Sequence, residues 1–135
     1  MNKEPHSTFM TMALEESKKA LPHCLPNPPV GCVLVQDGKV IAYGHTKEPG
    51  SHHAEASALS TYPDSLENVT VYVTLEPCSF FGRTPSCANA LIDRNIKDIH
   101  VALIDPDPRN SGKGISMLKD SDVVVSTGIL SKTVG

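Results

Sequence analysis

The stretch VGCVLVQDGKVIAYGH, residues 30–45, contains two apolar, β-branched segments on either side of Asp37 and Gly38. An Asp-Gly pair between two such segments is the strongest short-range signal for a hairpin, because both residues suit the left-handed backbone of a tight turn. The stretch therefore predicts two antiparallel strands, at residues 30–36 and 39–45. Part of any sheet that the chain forms is then antiparallel.

Outside the hairpin, helical and strand patterns alternate along the chain. Residues 7–20 have apolar side chains at helical spacing, with Ser7 or Thr8 as the expected N-cap. Further helices are expected at 53–61, 86–95 and 115–119, and further strands at 69–75, 98–104 and 122–126. The order αββαβαβαβ joins a hairpin to crossover units. The sequence therefore predicts an α/β fold with a mixed five-stranded sheet flanked by helices.

Composition limits the classes of function. The chain has 135 residues, a formal net charge of -3 and 4% aromatic residues without tryptophan. A basic surface and stacking side chains are typical of nucleic-acid binding, so we expect a small-molecule ligand and no nucleic-acid partner. No segment is apolar over the roughly 18 residues that a membrane span needs, and the N-terminus lacks the pattern of a signal peptide. We therefore expect a single domain, residues 1–135, in the cytoplasm and without a membrane partner.

Two of the four cysteines, Cys78 and Cys87, enclose a polar loop in the segment TLEPCSFFGRTPSC, residues 74–87. A stable disulfide is rare in the cytoplasm, where paired cysteines more often bind metal or take part in chemistry. Two cysteines do not complete a metal site, so further ligands must come from another part of the chain.

The segment HHAEA, residues 52–56, supplies a histidine and a glutamate at a second junction between a strand and a helix. If neighbouring helices start at the two junctions, His53, Cys78 and Cys87 converge, with Glu55 beside them. One nitrogen and two sulfur ligands suit zinc and leave the fourth tetrahedral position open, as in catalytic sites.

The spacing of His53 and Glu55 sets a geometric condition. Two residues apart in mid-helix, they point to nearly opposite sides, so both serve one site only if the helix presents its first turn end-on. Taken by itself, His53 would be interpreted as an ordinary surface histidine, and the adjacent His52 is an alternative zinc ligand. The order H-x-E, Pro-Cys and second cysteine is nevertheless the signature of zinc nucleoside and nucleobase deaminases, although eight residues separate these cysteines instead of two.

Four segments carry a closer resemblance. They are NPPVGCVLV (27–35), HAEASAL (53–59), YVTLEPCSFFGRTPSC (72–87) and DPDPRNSGKG (105–114). Together they resemble the deaminase domain of the riboflavin-biosynthesis enzymes that act on diaminohydroxyphosphoribosylaminopyrimidine, including the eight-residue spacing between the cysteines. The resemblance runs from about Phe9 to Gly128. It implies a three-layer αβα, cytidine deaminase-like fold and a zinc-dependent hydrolase that removes an exocyclic amine from a pyrimidine.

Carried over position by position, the resemblance makes His53, Cys78 and Cys87 the zinc ligands and Glu55 the proton shuttle. It also implies substrate contacts at Asn27, His45, Arg83, Thr84, Asp105 and Asp107. Asn27 and Thr84 have turn formation as an alternative reading. Arg83 could instead be a solvated charge in a loop, and Asp105 could instead cap the loop that follows it. Cys32 matches no ligand position and is expected to be a small core residue.

Two departures from the family pattern bear on the substrate. Phe80 stands where the family usually has histidine, and Asp107 where it usually has asparagine. The expected substrate is an aminopyrimidine carrying a ribosyl phosphate. A different free base or nucleoside is the main alternative, and a tRNA adenosine deaminase is a weaker one, because it would normally show Pro-Cys-x2-Cys. The resemblance further implies a homodimer or larger homo-oligomer and a separate reductase for the next step.

Overall fold

The computed structural model describes residues 3–21, 29–47, 54–62, 64–77, 87–103 and 112–127. Its helices are α1 (Lys3–Lys18), α2 (Ala54–Leu59), α3 (Cys87–Asp93) and α4 (Lys113–Asp120). Its strands are β1 (Gly31–Gln36), β2 (Lys39–His45), β3 (Thr70–Leu75), β4 (Asp98–Leu103) and β5 (Val124–Thr127). This is the predicted order of elements.

The five strands form one mixed sheet in the order β2-β1-β3-β4-β5. β1 is antiparallel to both β2 and β3, whereas β3, β4 and β5 are parallel to one another. In the hairpin, Gln36 pairs with Lys39 across Asp37 and Gly38, whose φ angles of 53° and 77° are those of a type I′ turn. The predicted hairpin and the mixed five-stranded sheet are therefore confirmed.

Helices cover both faces of the sheet and give the predicted three layers. α1 packs on one face, where its Met10 and Ala13 join Val33 and Tyr72 of the sheet in a buried cluster. The other helices share a second cluster on the opposite face, which includes Cys32, Leu34, Ala54, Ala58, Ala88, Leu91 and Leu118. Because successive residues of β1 alternate between these two clusters, the strand is buried on both faces and reads as a continuous apolar run.

Two glycines allow helices to approach the hairpin closely. A Cβ atom at Gly31 would collide with the backbone of α1 at Ala13 and Ser17, and one at Gly44 would collide with the backbone of α2 at Ala54 and Ala58. The side chains of α2 are thereby held directly against β2.

Several element boundaries differ from the sequence prediction by one to four residues, and three of the differences have a local reason. The prediction of Ser7 or Thr8 as N-cap is wrong, because α1 begins at Lys3; its Pro5 falls in the first turn, where a missing N–H costs no intrahelical bond. α3 ends at Asp93, and Asn95 then takes a φ of 65° that leaves the helix. Asp122 has a φ of 63°, so β5 starts only at Val124.

Among the helices that the structure describes, none combines the length and the apolar character that a membrane span requires.

Candidate active site

The carboxyl ends of β2, β3 and β4 lie at one edge of the sheet. This follows from the topology, since β2 and β3 are both antiparallel to β1 and β4 is parallel to β3. The segments that continue from these three ends in the sequence are the ones that hold the HAE, EPC and DPD patterns. Ligand sites of α/β sheets form outside the carboxyl ends of the strands, so this edge is the place for a candidate site.

Glu55 and Cys87 open two neighbouring helices. Glu55 is the second residue of α2 and Cys87 the first residue of α3, and both side chains are buried, with 4% and 7% of their surface exposed. α2 and α3 pack against each other on the same face of the sheet. The predicted position of Glu55 in the first turn of its helix is confirmed. His53, with which Glu55 is predicted to share the site, lies outside the described residues.

Cys32 lies beneath this region, in β1, and is completely buried. Burial, and next the negative charge of Glu55, raise the pKa of the Cys32 thiol well above its ordinary value. The thiol is therefore protonated at neutral pH, and the prediction of a core residue is confirmed. Because its charge acts on Cys32, Glu55 lies near β1, and it is itself only 4% exposed.

The described part of the proposed zinc site fits the metal. Cys87 supplies a buried sulfur donor, and thiolates with imidazole are the ligands that zinc prefers. The two other predicted ligands, His53 and Cys78, lie outside the described residues. The described residues alone therefore hold no cluster of three His, Cys, Asp or Glu side chains that could bind a metal ion.

Most of the predicted substrate contacts also lie outside the described residues. They are Asn27, Arg83, Thr84, Asp105 and Asp107. His45 is described: it is the last residue of β2, with 20% of its side chain exposed. Its Nδ1 lies 2.7 Å from Oε2 of Glu16, and its Nε2 lies 3.3 Å from Nζ of Lys47.

Glu16, on α1, is a partner that the sequence analysis did not anticipate. Its side chain is only 8% exposed, and its second oxygen, Oε1, accepts a bond from Lys19 Nζ at 3.0 Å. Burial by itself would raise the pKa of Glu16, but the hydrogen bonds from His45 and Lys19 outweigh it and hold the pKa below its ordinary value. The helical period does indicate which way Glu16 faces, because Glu16 lies three residues after the buried Ala13 and therefore on the same side of α1.

Glu76, which follows β3, is a second carboxylate with a role that was missed. It is 4% exposed and accepts hydrogen bonds from the backbone N–H groups of Gly112, at 2.9 Å, and Ile115, at 3.0 Å. Both donors belong to the start of α4, and Gly114 there lies against the carbonyl of Pro77. The start of α4 thus fixes the backbone immediately before Cys78.

A groove of about 370 Å³ lies elsewhere, between α1 and β2. Its walls include Met12, Val33, Val40 and Tyr43. Val33 and Val40 belong to the face of the sheet that α1 covers, opposite the face that carries Glu55 and Cys87. The groove therefore lies on the other face of the sheet from Glu55 and Cys87, and Glu16, which also lines it, connects it to His45.

Comparisons with known proteins agree with this geometry. A family model described as the cytidine and deoxycytidylate deaminase zinc-binding region matches residues 3–103. The diaminohydroxyphosphoribosylamino-pyrimidine deaminase of Buchnera aphidicola subsp. Acyrthosiphon pisum is 44% identical over 124 residues, which are 92% of this chain and 84% of that protein. The riboflavin biosynthesis protein RibD of Aquifex aeolicus is 41% identical over 129 residues, which are 96% of this chain but 36% of that protein.

Solved structures show the same fold. RibD of Acinetobacter baumannii superposes with a TM-score of 0.94 at 39% identity, covering 98% of this chain and 37% of that one. A deaminase/reductase of Thermotoga maritima gives a TM-score of 0.87 at 38% identity, over 97% of this chain and 38% of that one. The dCMP deaminase of cyanophage S-TIM5, at 20% identity and a TM-score of 0.76, covering 94% of this chain and 98% of that one, shares the fold. The chain thus spans little more than a third of the RibD proteins that it matches.

Proposed function

The chain belongs to the family of the cytidine and deoxycytidylate deaminase zinc-binding region, and on that premise we propose that it is a zinc-dependent deaminase of an aminopyrimidine. The proposed substrate is the diaminohydroxyphosphoribosylaminopyrimidine intermediate of riboflavin biosynthesis, from which ammonia is released. This substrate is supported by a relative of 44% identity that is named as a deaminase of this compound. The observation that carries the proposal is Glu55, buried in the first turn of α2 beside the helix that Cys87 opens.

Proton transfer is the role that we assign to Glu55. Its side chain is only 4% exposed, so bulk water has little access to the carboxyl group. Acting first as a base, it accepts a proton from the attacking water and passes that proton to a ring nitrogen of the pyrimidine. It then takes the remaining proton of that water from the new hydroxyl group and delivers it, now acting as an acid, to the departing amine, so that ammonia leaves and a carbonyl group remains.

His53, Cys78 and Cys87 are the proposed zinc ligands. Three protein ligands leave one tetrahedral position open, as a catalytic site requires. When bound, zinc supplies the Lewis acidity that lets water ionise near neutral pH. Glu76 supports this set, because its two hydrogen bonds to α4 fix the backbone that leads into Cys78.

Phosphate recognition is the part of the proposal that depends on Arg83. A guanidinium group can donate hydrogen bonds to two phosphate oxygens at once, which suits the ribosyl phosphate of the proposed substrate. Asn27, His45, Thr84, Asp105 and Asp107 are the other proposed substrate contacts.

A deaminase of an uncharged free base or nucleoside is the second candidate. Phe80 offers no hydrogen-bond donor, and Asp107 brings a negative charge, at positions where the resembled family usually has histidine and asparagine. Both residues work against the binding of a phosphate dianion, since like charges across a desolvated contact repel each other.

Ammonia release from a panel of pyrimidines and purines, each with and without its phosphate, tests the proposal. We expect the phosphorylated riboflavin intermediate to be the best substrate, and Arg83→Ala to raise KM for it far more than for its dephosphorylated form. Turnover of a neutral base with no turnover of the phosphorylated pyrimidine would select the second candidate.

We further propose that the protein acts in the cytoplasm as a homodimer or larger homo-oligomer, and that a reductase consumes its product. Apolar side chains on the described surface support association, notably Met12, Tyr43 and Val124, which are 41%, 58% and 63% exposed. Sedimentation should therefore give more than the monomer mass, and a monomer alone at micromolar concentration would end this part of the proposal.

A further inference from the structure

Both nitrogens of the His45 ring have a charged side chain within reach. Nδ1 faces the Glu16 carboxylate at 2.7 Å, and Nε2 faces the Lys47 ammonium at 3.3 Å. Glu16 in turn holds Lys19 at 3.0 Å. Three elements or segments thus contribute to one chain of polar contacts, which runs from α1 to the residues that follow β2.

These partners assign the protons on the ring. An acidic partner at Nδ1 requires that Nδ1 carry hydrogen and donate to Glu16, because a carboxylate only accepts. An ammonium partner at Nε2 donates, so Nε2 is an acceptor while Lys47 holds it. The geometry therefore favours one tautomer of His45, and Glu16 is the group that selects it.

Glu16 is well placed to act as a fixed support. Its own helix cannot shift towards or away from the sheet easily, since the backbone of α1 at Ala13 and Ser17 lies against Gly31 of β1. With 8% of its side chain exposed, Glu16 is also shielded from water, so its bond to His45 competes little with solvent. The neighbouring Glu15 lies on the same helix but differs in exposure and partner: it is 65% exposed and pairs locally, with Lys18 at 3.3 Å.

We propose that Glu16 is a positioning residue of the deaminase site, which fixes the ring of His45 and thereby the direction of its Nε2 lone pair, which accepts a hydrogen bond from Lys47 or, in its place, from the substrate. The inference rests on the proposed function, in which His45 contacts the substrate. Glu16 itself does not touch the substrate and acts through His45. A ring free to rotate would make that contact in only part of the population, so the loss of Glu16 weakens binding more than it slows chemistry.

The experiment compares three variants. Glu16→Leu removes the support, Glu16→Gln keeps its size and one acceptor oxygen but not its charge, and Glu15→Gln is the matched control. Each protein is loaded with zinc, and KM and kcat are measured with the best substrate of the panel. In parallel, ¹⁵N NMR of the histidine rings without substrate reports the tautomer of His45, whose signals are assigned by their loss in His45→Gln.

For Glu16→Leu we expect KM to rise roughly tenfold with kcat within about twofold, and the ¹⁵N signals of His45 to move towards a tautomer mixture. For Glu16→Gln, KM and the ¹⁵N signals of His45 should lie between those of Glu16→Leu and the wild type, with KM raised roughly threefold. If Glu16→Leu does not fold, Glu16→Gln provides the test. Glu15→Gln should match the wild type in kinetics and spectrum.

Two results would overturn the role of Glu16 while leaving the deaminase intact: unchanged KM in an active Glu16 variant, or unchanged His45 signals in it. A fall in kcat without a change in KM would also contradict a role in binding. Wild-type protein that releases no ammonia from any compound of the panel would instead overturn the proposed function, and this role with it.

Discussion

Glu16 and Glu76 are buried carboxylates, each with a partner far away in the sequence. His45 lies 29 residues after Glu16, and Gly112 lies 36 residues after Glu76. A local pattern predicts which side of a helix or strand faces the core, but it does not indicate what a distant segment brings to that position. Glu55 and Cys87 could be predicted because their pattern is local: each belongs to a short motif, and a helix starts at or just before each one.

The zinc ligands can be tested one residue at a time. The wild type should hold about one zinc per chain, and Cys87→Ser should lose it, because a hydroxyl is a much weaker zinc ligand than a thiolate. Cys32→Ala is the matched control, since Cys32 is an equally buried cysteine within the core that should not bind metal. Elemental analysis of the purified proteins measures both. Zinc retained in Cys87→Ser, or a metal-free wild type with full activity, would contradict the proposed zinc site.

The lowered pKa of Glu16 predicts a dependence of stability on acid. Its ordinary pKa is 4.5 and its folded pKa is lower, so the unfolded chain binds its proton first as the pH falls. The contribution of Glu16 to folding is therefore present above pH 4.5 and is lost as the pH falls through the folded pKa. We therefore measure the free energy of unfolding in urea as the pH falls through this window. It should decrease less for Glu16→Gln than for the wild type. Equal losses in the two proteins would contradict the ion pair.

At the scale of elements, the sequence predicted which segments are helices and strands better than where they end. Periodicity extends over many residues, whereas an end depends on the backbone angle of one residue, such as Asn95 or Asp122, both with positive φ. The start of α1 was missed for a similar reason, since Pro5 is compatible with a first turn as well as with a loop. The hairpin was located to the residue because Asp37 and Gly38 determine both strand ends at once.

The contact between Glu76 and α4 belongs to this scale, because one side chain connects a strand to a helix. Glu76→Ala should lower the free energy of unfolding by about 2 kcal/mol, since it leaves the N–H groups of Gly112 and Ile115 without their acceptor. Glu76→Gln, which keeps one acceptor oxygen, should lower the free energy of unfolding by less. Glu67→Ala, at an exposed position, is the control and should change little. Urea denaturation that gives equal stability for Glu76→Ala and Glu67→Ala would show that the contact contributes nothing.

For the whole molecule, the topology brings strand ends that are distant in the sequence to one edge of the sheet. The antiparallel hairpin turns β2 so that its carboxyl end lies at the same edge as those of β3 and β4. Each of these ends leads into a segment with predicted site residues, and helices α2 and α3 return across one face of the sheet. The sequence predicted the mixed sheet and its flanking helices from the order of the elements, but not the strand order β2-β1-β3-β4-β5 that brings these ends together.

The rate of ammonia release by Glu55→Gln, relative to the wild type, tests the central claim most directly. The variant keeps the size of the side chain and every proposed zinc ligand, so it should fold and retain about one zinc per chain. It lacks the carboxylate that moves the protons, so its turnover of the riboflavin intermediate should fall by at least roughly a hundredfold. A zinc-loaded Glu55→Gln protein that keeps more than about a tenth of the wild-type rate would contradict the account, because another group would then carry the protons.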